Sequence, residues 1–267
     1  MSLRNYSERT ISNYVSHLIR LSNYYSLPPD QLTREQVKEY AHYLLKDKKV
    51  SFSTINQIIS AWKILKVDVL GQSWHNFKIK RPKCEKRLPQ VLSQQEAIAL
   101  VHSPNNFKHR TLLMLAYSTG LRRSELLNLK PSDIDSPRKV LRVLRGKGHK
   151  TREIPITDML IDQLRNYYKR YQPSVYLFEG VVPGRPYSAT SFCNVLKSAA
   201  CKVGIKKNIS PHVLRHCYAS HMLERGVNLK RVQLYLGHNS LKTTSVYLHL
   251  SNSSDSAIPN LLDLPNE

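Results

Sequence analysis

Residues 139–156 differ from the rest of the chain in their hydrophobic period. Val140–Arg145 and Arg152–Ile156 have the composition of β-strands, and Gly146-Lys147-Gly148-His149 between them is typical of a hairpin turn. The segments on either side repeat apolar residues at helical spacing instead. One hairpin among helices supports only a small sheet, so the sequence predicts a mainly α fold with a small antiparallel sheet.

The first 75 residues carry three amphipathic stripes. Apolar side chains share one helical face at Ile11, Tyr14, Leu18, Leu21 and Tyr25. Pro28-Pro29 ends that helix, and Thr33 with Gln36 forms a capping box before the next one. The third stripe comprises Ile55, Ile58, Trp62, Leu65 and Val69. We expect these helices to form a small bundle.

Shifts in composition divide the chain into four parts. Residues 1–77 form the predicted helical domain, and residues 78–90 are a linker that is rich in Lys and Arg and lacks an apolar period. Ser93 with Glu96 forms a capping box at the start of a second domain, residues 91–250. Residues 251–267 form a tail with a polar run followed by the apolar cluster Ile258–Leu264.

The charge of the chain indicates a polyanionic partner. Lys and Arg total 41 against 19 Asp and Glu, which gives a formal charge of +22. The excess occurs in both predicted domains, and such self-repulsion destabilises a compact protein unless an anion offsets it. Double-stranded DNA is the expected partner, because binding releases counterions from its phosphates.

Other features of the composition place the protein in the cytoplasm. No apolar run approaches the roughly 20 residues that a membrane span needs, and the N-terminus lacks the apolar stretch of a signal peptide. The four cysteines contain no CxxC pair and are too few for a disulfide framework. We therefore expect reduced thiols, no membrane association and a location at the nucleoid.

Five short motifs in the second domain carry residues suited to chemistry on phosphate. In chain order they are TGLRRSEL from Thr119, GKG from Gly146, PHVLRH from Pro211, LGH from Leu236 and SVYLH from Ser245. A tyrosine can attack phosphorus and hold the phosphate covalently, while two guanidinium groups can bind its oxygens in pairs. Tyr247, Arg122 and Arg215 would then need neither a metal ion nor ATP.

Together these motifs resemble the tyrosine recombinase, or phage integrase, family. The resemblance implies a core-binding N-terminal domain and an α+β catalytic domain that form a C-shaped clamp on DNA. It implies six catalytic residues, with Tyr247 as the nucleophile, nine residues beyond His238. His212 would accept the phenol proton or orient the phosphate, and His238 would bind a non-bridging oxygen. Lys147 would protonate the 5′ oxygen, and Arg122 and Arg215 would hold the phosphate.

The resemblance also implies how the protein assembles and acts. It predicts recombination between specific sites by a dimer on each site and a tetramer in the synapse, with possible accessory DNA-bending proteins. Two alternatives stay open, a type IB topoisomerase-like relaxing enzyme and an inactive DNA-binding regulator. The tail would dock on a neighbouring subunit or lie against its own.

Two local alternatives accompany the predicted site. His212 and His216 are four residues apart, a spacing that can hold a metal ion, but no HExxH glutamate accompanies them. We expect no metal, and the resemblance implies that His216 and His221 are structural. Glu125 lies one helical turn after Arg122, where it would either brace that arginine or balance local charge.

Overall fold

A computed structural model of the chain describes residues 6–74, 79, 89–144 and 151–249, with only the backbone of His249. The chain divides into two compact units, Met1–Arg87 and Leu88–Glu267. Helices predominate and one small antiparallel sheet accompanies them, which confirms the predicted fold class.

The α-helices in the described part of the first unit are α1 (Glu8–Tyr25), α2 (Arg34–Lys46) and α3 (Phe52–Ile64). Ser7, Thr33 and Ser51 cap their N-termini through side-chain oxygens, and Thr33 with Gln36 forms the predicted capping box. The core of this unit surrounds Trp62, whose side chain is fully buried.

The third predicted apolar stripe is wrong at its last residue, Val69. Ile55, Ile58 and Trp62 are buried as expected, but Val69 is 62% exposed. The chain leaves the α-helical period after α3 and forms a π-helical turn, Leu65–Val69. A π turn contains more residues than an α turn, so it rotates the following side chains away from the buried face.

Helices of the second unit are arranged around α5 (Phe107–Thr119), in which every residue from Thr111 to Ala116 is buried. It packs against α4 (Gln94–His102), α7 (Asp158–Tyr171) and α9 (Pro211–Glu224). The other α-helices in the described part of this unit are α6 (Arg123–Leu127), α8 (Ala189–Lys202), α10 (Leu229–Leu236) and α11 (Leu241–Thr244). A 3₁₀ helix, Ser245–His249, follows α11.

The sheet has one more strand than the sequence predicts. Strands β2 (Val140–Val143) and β3 (Arg152–Pro155) pair antiparallel, with Leu141 opposite Ile154. A two-residue strand β1 (Ile134–Asp135) pairs with the other edge of β2. Both Leu141 and Ile154 are fully buried, so one face of the hairpin contributes to the core of the second unit.

Candidate active site

A glycine turn sets the start of the site. Helix α5 ends at Gly120, which has a φ of +60° and donates its amide to Ala116. A Cβ at this position would lie 2.4 Å from Cδ1 of Tyr218, so the close packing and the left-handed backbone both require glycine. The turn places Arg122 immediately before α6.

Arg122 makes three hydrogen bonds at the N-terminus of α6. Its amide donates to Glu125 Oε2 at 2.8 Å, and its Nη1 donates to Glu125 Oε1 at 2.9 Å. Its Nη2 donates to the carbonyl of Gly237 at 3.2 Å. The side chain stays 37% exposed, so a ligand can reach a guanidinium that is already oriented.

Arg215 is a buried cation on α9, with 4% of its surface exposed. Its Nη1 donates to the carbonyl of Gly120 and its Nη2 to the carbonyl of Leu236, each at 2.7 Å. Burial, together with the charge of Arg122, lowers the pKa of Arg215 to about 10. The group therefore remains charged at neutral pH although no carboxylate binds it directly in the described residues.

Glu125 binds a second arginine besides Arg122. Arg152, the first residue of β3, donates Nη1 to Oε1 at 2.9 Å and Nη2 to Oε2 at 2.7 Å. The two side chains are only 9% and 12% exposed. Burial opposes the charge of Glu125, but the bonds from Arg152 and from the Arg122 amide outweigh it and lower the pKa of Glu125 to about 2. Glu125 therefore braces Arg122, the first of the two roles considered for it.

His238 follows the end of α10, where Gly237 adopts the left-handed conformation. A hydrogen bond of 2.9 Å joins its Nδ1 to Thr244 Oγ1. Burial lowers the pKa of His238 to about 4, and the charges of Arg215 and Arg122 add to the effect. The imidazole is therefore neutral at neutral pH.

Tyr247 lies in the 3₁₀ helix and is almost fully buried, with 4% exposure. Its ring stacks on His238 with centroids 6.5 Å apart, and a hydrogen bond of 2.9 Å joins its Oη to Nδ1 of His216. Burial raises the pKa of Tyr247, and the charge of Arg215 partly opposes that rise. The phenol is thus protonated and engaged with a histidine in this conformation.

The two histidines of α9 have different surroundings. His216 contacts the phenol, and burial with the proximity of His212 lowers its pKa to about 4. His212 is exposed, and its pKa is lowered by partial burial and then by the charges of Arg215, Arg123 and Arg122. The charges of the neighbouring arginines therefore act on His212, whereas His216 contacts Tyr247 directly.

A cleft of about 810 Å³ opens beside Arg122 and Glu125. Arg122, Glu125 and His238 form part of its wall, and Lys130, Ser240 and Thr243 lie along the rest. The guanidinium of Arg122 is therefore accessible from a space large enough for a phosphodiester and its sugar.

The histidines and acidic residues do not form a metal centre in the part of the chain that the structure describes. Within those ranges, no three His, Cys, Asp or Glu side chains converge as metal ligands would. His221 instead forms hydrogen bonds with the carbonyl of Leu92 at 2.9 Å and with the hydroxyl of Tyr117 at 2.8 Å.

In the part of the chain that the structure describes, each helix is too short or too polar to span a bilayer.

Comparison with known proteins identifies the family. Residues 90–254 match the phage integrase family, and residues 1–76 match the phage integrase N-terminal SAM-like domain. The chain belongs to the phage integrase family. It is an enzyme of the tyrosine recombinase class, because its relatives over nearly their whole length carry that name.

Three members illustrate the similarity. A tyrosine recombinase of Thermosipho africanus is 32% identical over 94% of this chain and 92% of its own length. Tyrosine recombinase XerD of Staphylococcus aureus is 31% identical over 94% of this chain and 86% of its own. The structure of XerH recombinase bound to a palindromic difH substrate shares the fold, with a TM-score of 0.74, 21% identity and coverage of 93% and 78%.

Five of the six predicted site residues fall in the described part of this integrase. Arg122, Arg215 and His238 meet at the end of α10, and Tyr247 packs on His238. His212 lies at the edge of this group, one turn before His216 on α9. Lys147 and the C-terminal tail lie outside the described residues.

Two residues of the site do not stand out in the sequence. In the sequence, Arg152 is one of several Lys and Arg residues of the predicted hairpin, and His216 is expected to be a structural histidine. A signal for Arg152 exists, because residues alternate between the two faces of a strand. Its neighbours Thr151 and Glu153 are exposed, so Arg152 on the other face lies against the protein.

Proposed function

We propose that this integrase carries out site-specific DNA recombination by metal-independent cleavage through a covalent 3′-phosphotyrosine, followed by rejoining. The observation that carries the proposal is the grouping of two oriented guanidinium groups with a phenol. Arg122 and Arg215 bind neighbouring carbonyls at the end of α10, and the charge of Arg215 acts on the pKa of Tyr247. Among the described residues, Glu125 pairs with Arg122 and no carboxylate pairs with Arg215, so the positive charge is only partly neutralised. A phosphodiester supplies the missing negative charge.

The cleavage step follows from this grouping. Oη of Tyr247 attacks the scissile phosphorus, and the bond from phosphorus to the 5′ oxygen breaks. Arg122 and Arg215 hold the non-bridging oxygens, on which negative charge develops. His238, whose Nδ1 is engaged by Thr244, offers Nε2 to one of these oxygens. His212, one turn before His216 on α9 and under the influence of the same charges, orients the phosphate.

The phenol proton needs an acceptor, and His216 is the basic group in contact with it. We assign the proton of Tyr247 to Nδ1 of His216, which leaves His212 for the phosphate. Burial keeps His216 neutral in the free protein, and the arriving phosphate favours its protonated form. During rejoining the same proton returns to Tyr247.

The departing 5′ oxygen needs a proton, and Lys147 is the proposed donor on the resemblance of its GKG motif alone. The phosphotyrosine conserves the energy of the broken bond, so rejoining needs no ATP. No metal ion is proposed, because guanidinium groups take the place on the phosphate that divalent cations hold in other nucleases.

The proposed partners are double-stranded DNA at specific sites and further copies of this chain, two on each site and four in a synapse. Support comes from the charge of +22 and from the relative that is bound to its difH substrate. Accessory DNA-bending proteins and a cytoplasmic location at the nucleoid belong to the same proposal. Ile258–Leu264 would dock on a neighbouring subunit, so deletion of residues 255–267 would weaken cooperative assembly on DNA. Unchanged assembly would contradict this.

Covalent capture from a pool of random sequences tests the function and finds the target in one experiment. Nicked duplexes with a random central region are incubated with the protein in EDTA and without nucleotide, and denatured adducts are recovered and sequenced. Wild type should enrich one duplex, while Tyr247→Phe should give no adduct. Adducts that survive Tyr247→Phe would refute the nucleophile, and adducts on every sequence with relaxation of supercoiled DNA would favour a topoisomerase.

A further inference from the structure

Three arginines from three elements bind three consecutive carbonyls at the C-terminal end of α10. Nε of Arg152 donates to Tyr235 at 2.7 Å, and Nη2 of Arg215 donates to Leu236 at 2.7 Å. Nη2 of Arg122 donates to Gly237 at 3.2 Å. The sequence motifs contain two of these arginines, but Arg152 comes from β3.

The end of a helix is suited to this arrangement. Its last carbonyls lack partners within the helix and carry the negative end of the helix dipole. Cations bound there satisfy those carbonyls, and the carbonyls in turn offset the repulsion between neighbouring guanidinium groups. The C-terminal end of α10 thus holds three like charges close together before any phosphate is present.

The bonds of Arg152 form a closed ring with those of Arg122. Arg152 spans from the carbonyl of Tyr235 to both oxygens of Glu125. Glu125 binds the amide and Nη1 of Arg122, and Nη2 of Arg122 returns to the carbonyl of Gly237. The ring begins and ends on the same helix terminus, so the orientation of Arg122 depends on both Glu125 and Arg152.

We propose that Arg152 is a positioning residue for strand cleavage, which fixes the guanidinium of Arg122 through Glu125. This role rests on the proposed function for its effect on rate. Nε, Nη1 and Nη2 of Arg152 all donate to protein atoms, and its side chain is 9% exposed, so it is not itself placed to hold the phosphate.

The role requires arginine rather than a positive charge alone. A guanidinium is planar and presents a fixed fork, so it binds two carboxylate oxygens and a carbonyl at once. A lysine at the same position has one nitrogen and cannot span these three acceptors. Arg152→Lys therefore keeps the charge but loosens the orientation of Glu125.

A double-variant comparison measures whether Arg152 acts through Arg122. The rate of adduct formation is measured in a single turnover on the duplex recovered by covalent capture. Arg152→Gln should lower the rate about 100-fold, the loss typical of a misplacement of about 1 Å in an active site. In an Arg122→Ala background the same change should lower the rate less than about threefold. Arg152→Lys should fall between wild type and Arg152→Gln.

Arg138 supplies a matched control. It also forms a bidentate pair, with Glu153 at 3.1 Å for both bonds, but its side chain is 57% exposed. Arg138→Gln should leave the rate within about twofold. The dissociation constant of the duplex should also stay within about threefold in Arg152→Gln, since its bonds are internal.

A measurement without cleavage separates this proposal from the proposed function. In ¹⁵N spectra of the free protein, the Nη protons of Arg122 should be resolved, because its bonds hinder rotation of the guanidinium. They should collapse to an averaged signal in Arg152→Gln and stay resolved in Arg138→Gln. Resolved Arg122 signals in both Arg152→Gln and Arg152→Lys would overturn the proposal, as would equal loss of rate in both backgrounds. A wild type that forms no adduct would contradict the function, while the spectra still decide the role of Arg152.

Discussion

Two groups of basic residues near the β2–β3 hairpin, one buried and one exposed, differ in what neutralises them. On the buried side, Arg122 and Arg152 share the carboxylate of Glu125 and also bind backbone carbonyls. Arg215 binds two backbone carbonyls and, among the described residues, no carboxylate. On the exposed side, three cations face three carboxylates, and the pairs are Arg138 with Glu153, Lys139 with Asp158, and Arg142 with Asp135 and Glu153.

The difference separates a binding centre from a solvated surface. Carbonyl dipoles fix the buried guanidinium groups without cancelling their charge, so an incoming anion gains strongly from them. The exposed pairs are already neutral as a set and are screened by water and salt. The number of basic residues along β2 and β3 does not distinguish the buried group from the exposed one. The groups that pair with those basic residues do.

The largest expected effect is at Arg215. Arg215→Gln removes a charge from the proposed phosphate site and leaves the carbonyls of Gly120 and Leu236 without their present donor. We expect about a 1000-fold loss in the rate of adduct formation on the captured duplex. Arg138→Gln is the control. A loss smaller than tenfold would show that the buried group does not differ functionally from the surface group.

The next largest effect should be the dependence of fold stability on pH, which should differ between the buried and the exposed group. The pKa of Glu125 lies near 2 against an ordinary value of 4.5, and its side chain is 12% exposed. A lowered pKa means that the carboxylate stabilises the fold fully above about pH 4.5 and loses this contribution as the pH falls towards 2. The difference corresponds to about 3 kcal/mol.

Urea unfolding at several pH values measures this contribution. Glu125→Gln should be about 3 kcal/mol less stable than wild type at pH 7, and the gap should narrow between pH 4.5 and pH 3. Glu153→Gln, from the exposed pair, should differ from wild type by less than about 1 kcal/mol at pH 7. A gap for Glu125→Gln that does not change with pH would assign the loss to packing instead of charge.

A third prediction compares the two histidines of α9, of which only His216 is the proposed acceptor of the Tyr247 proton. His216→Phe keeps an aromatic ring against Tyr247 but removes the nitrogen that contacts Oη. We expect about a 100-fold lower rate of adduct formation, which general bases commonly contribute. His212→Phe should mainly weaken the hold on the phosphate. If His216→Phe reacts at the wild-type rate, the proton of Tyr247 goes elsewhere.

The fold was predictable where local chemistry determines it. The capping boxes at Thr33 and Ser93, the end of α5 at Gly120 and the β2–β3 hairpin all follow from short-range patterns. Strand β1 escaped prediction because two residues show no alternation. Val69 escaped because the hydrophobic period cannot reveal that a π turn rotates it out of the bundle.

The site was predictable only as far as its motifs reach. The motif strings selected Arg122, Arg215, His238 and Tyr247, and their catalytic roles stay predictions. Arg152 and His216 depend on contacts between distant segments, such as Arg152 with Tyr235 across 83 residues. No local pattern encodes which backbone carbonyl a guanidinium will meet, because that is set by packing of β3 against the end of α10.

The smallest expected effect tests the exposed group itself. Arg138→Gln breaks a bidentate pair whose side chains are 57% and 40% exposed, so it should change the free energy of unfolding by less than about 1 kcal/mol. Raising the salt from about 0.05 to about 1 M shortens the screening length to about 3 Å and should erase even this change. The loss in Arg152→Gln should persist at the same salt, because its pair with Glu125 is 9% and 12% exposed. Equal sensitivity of both pairs to salt would mean that burial does not separate the two groups.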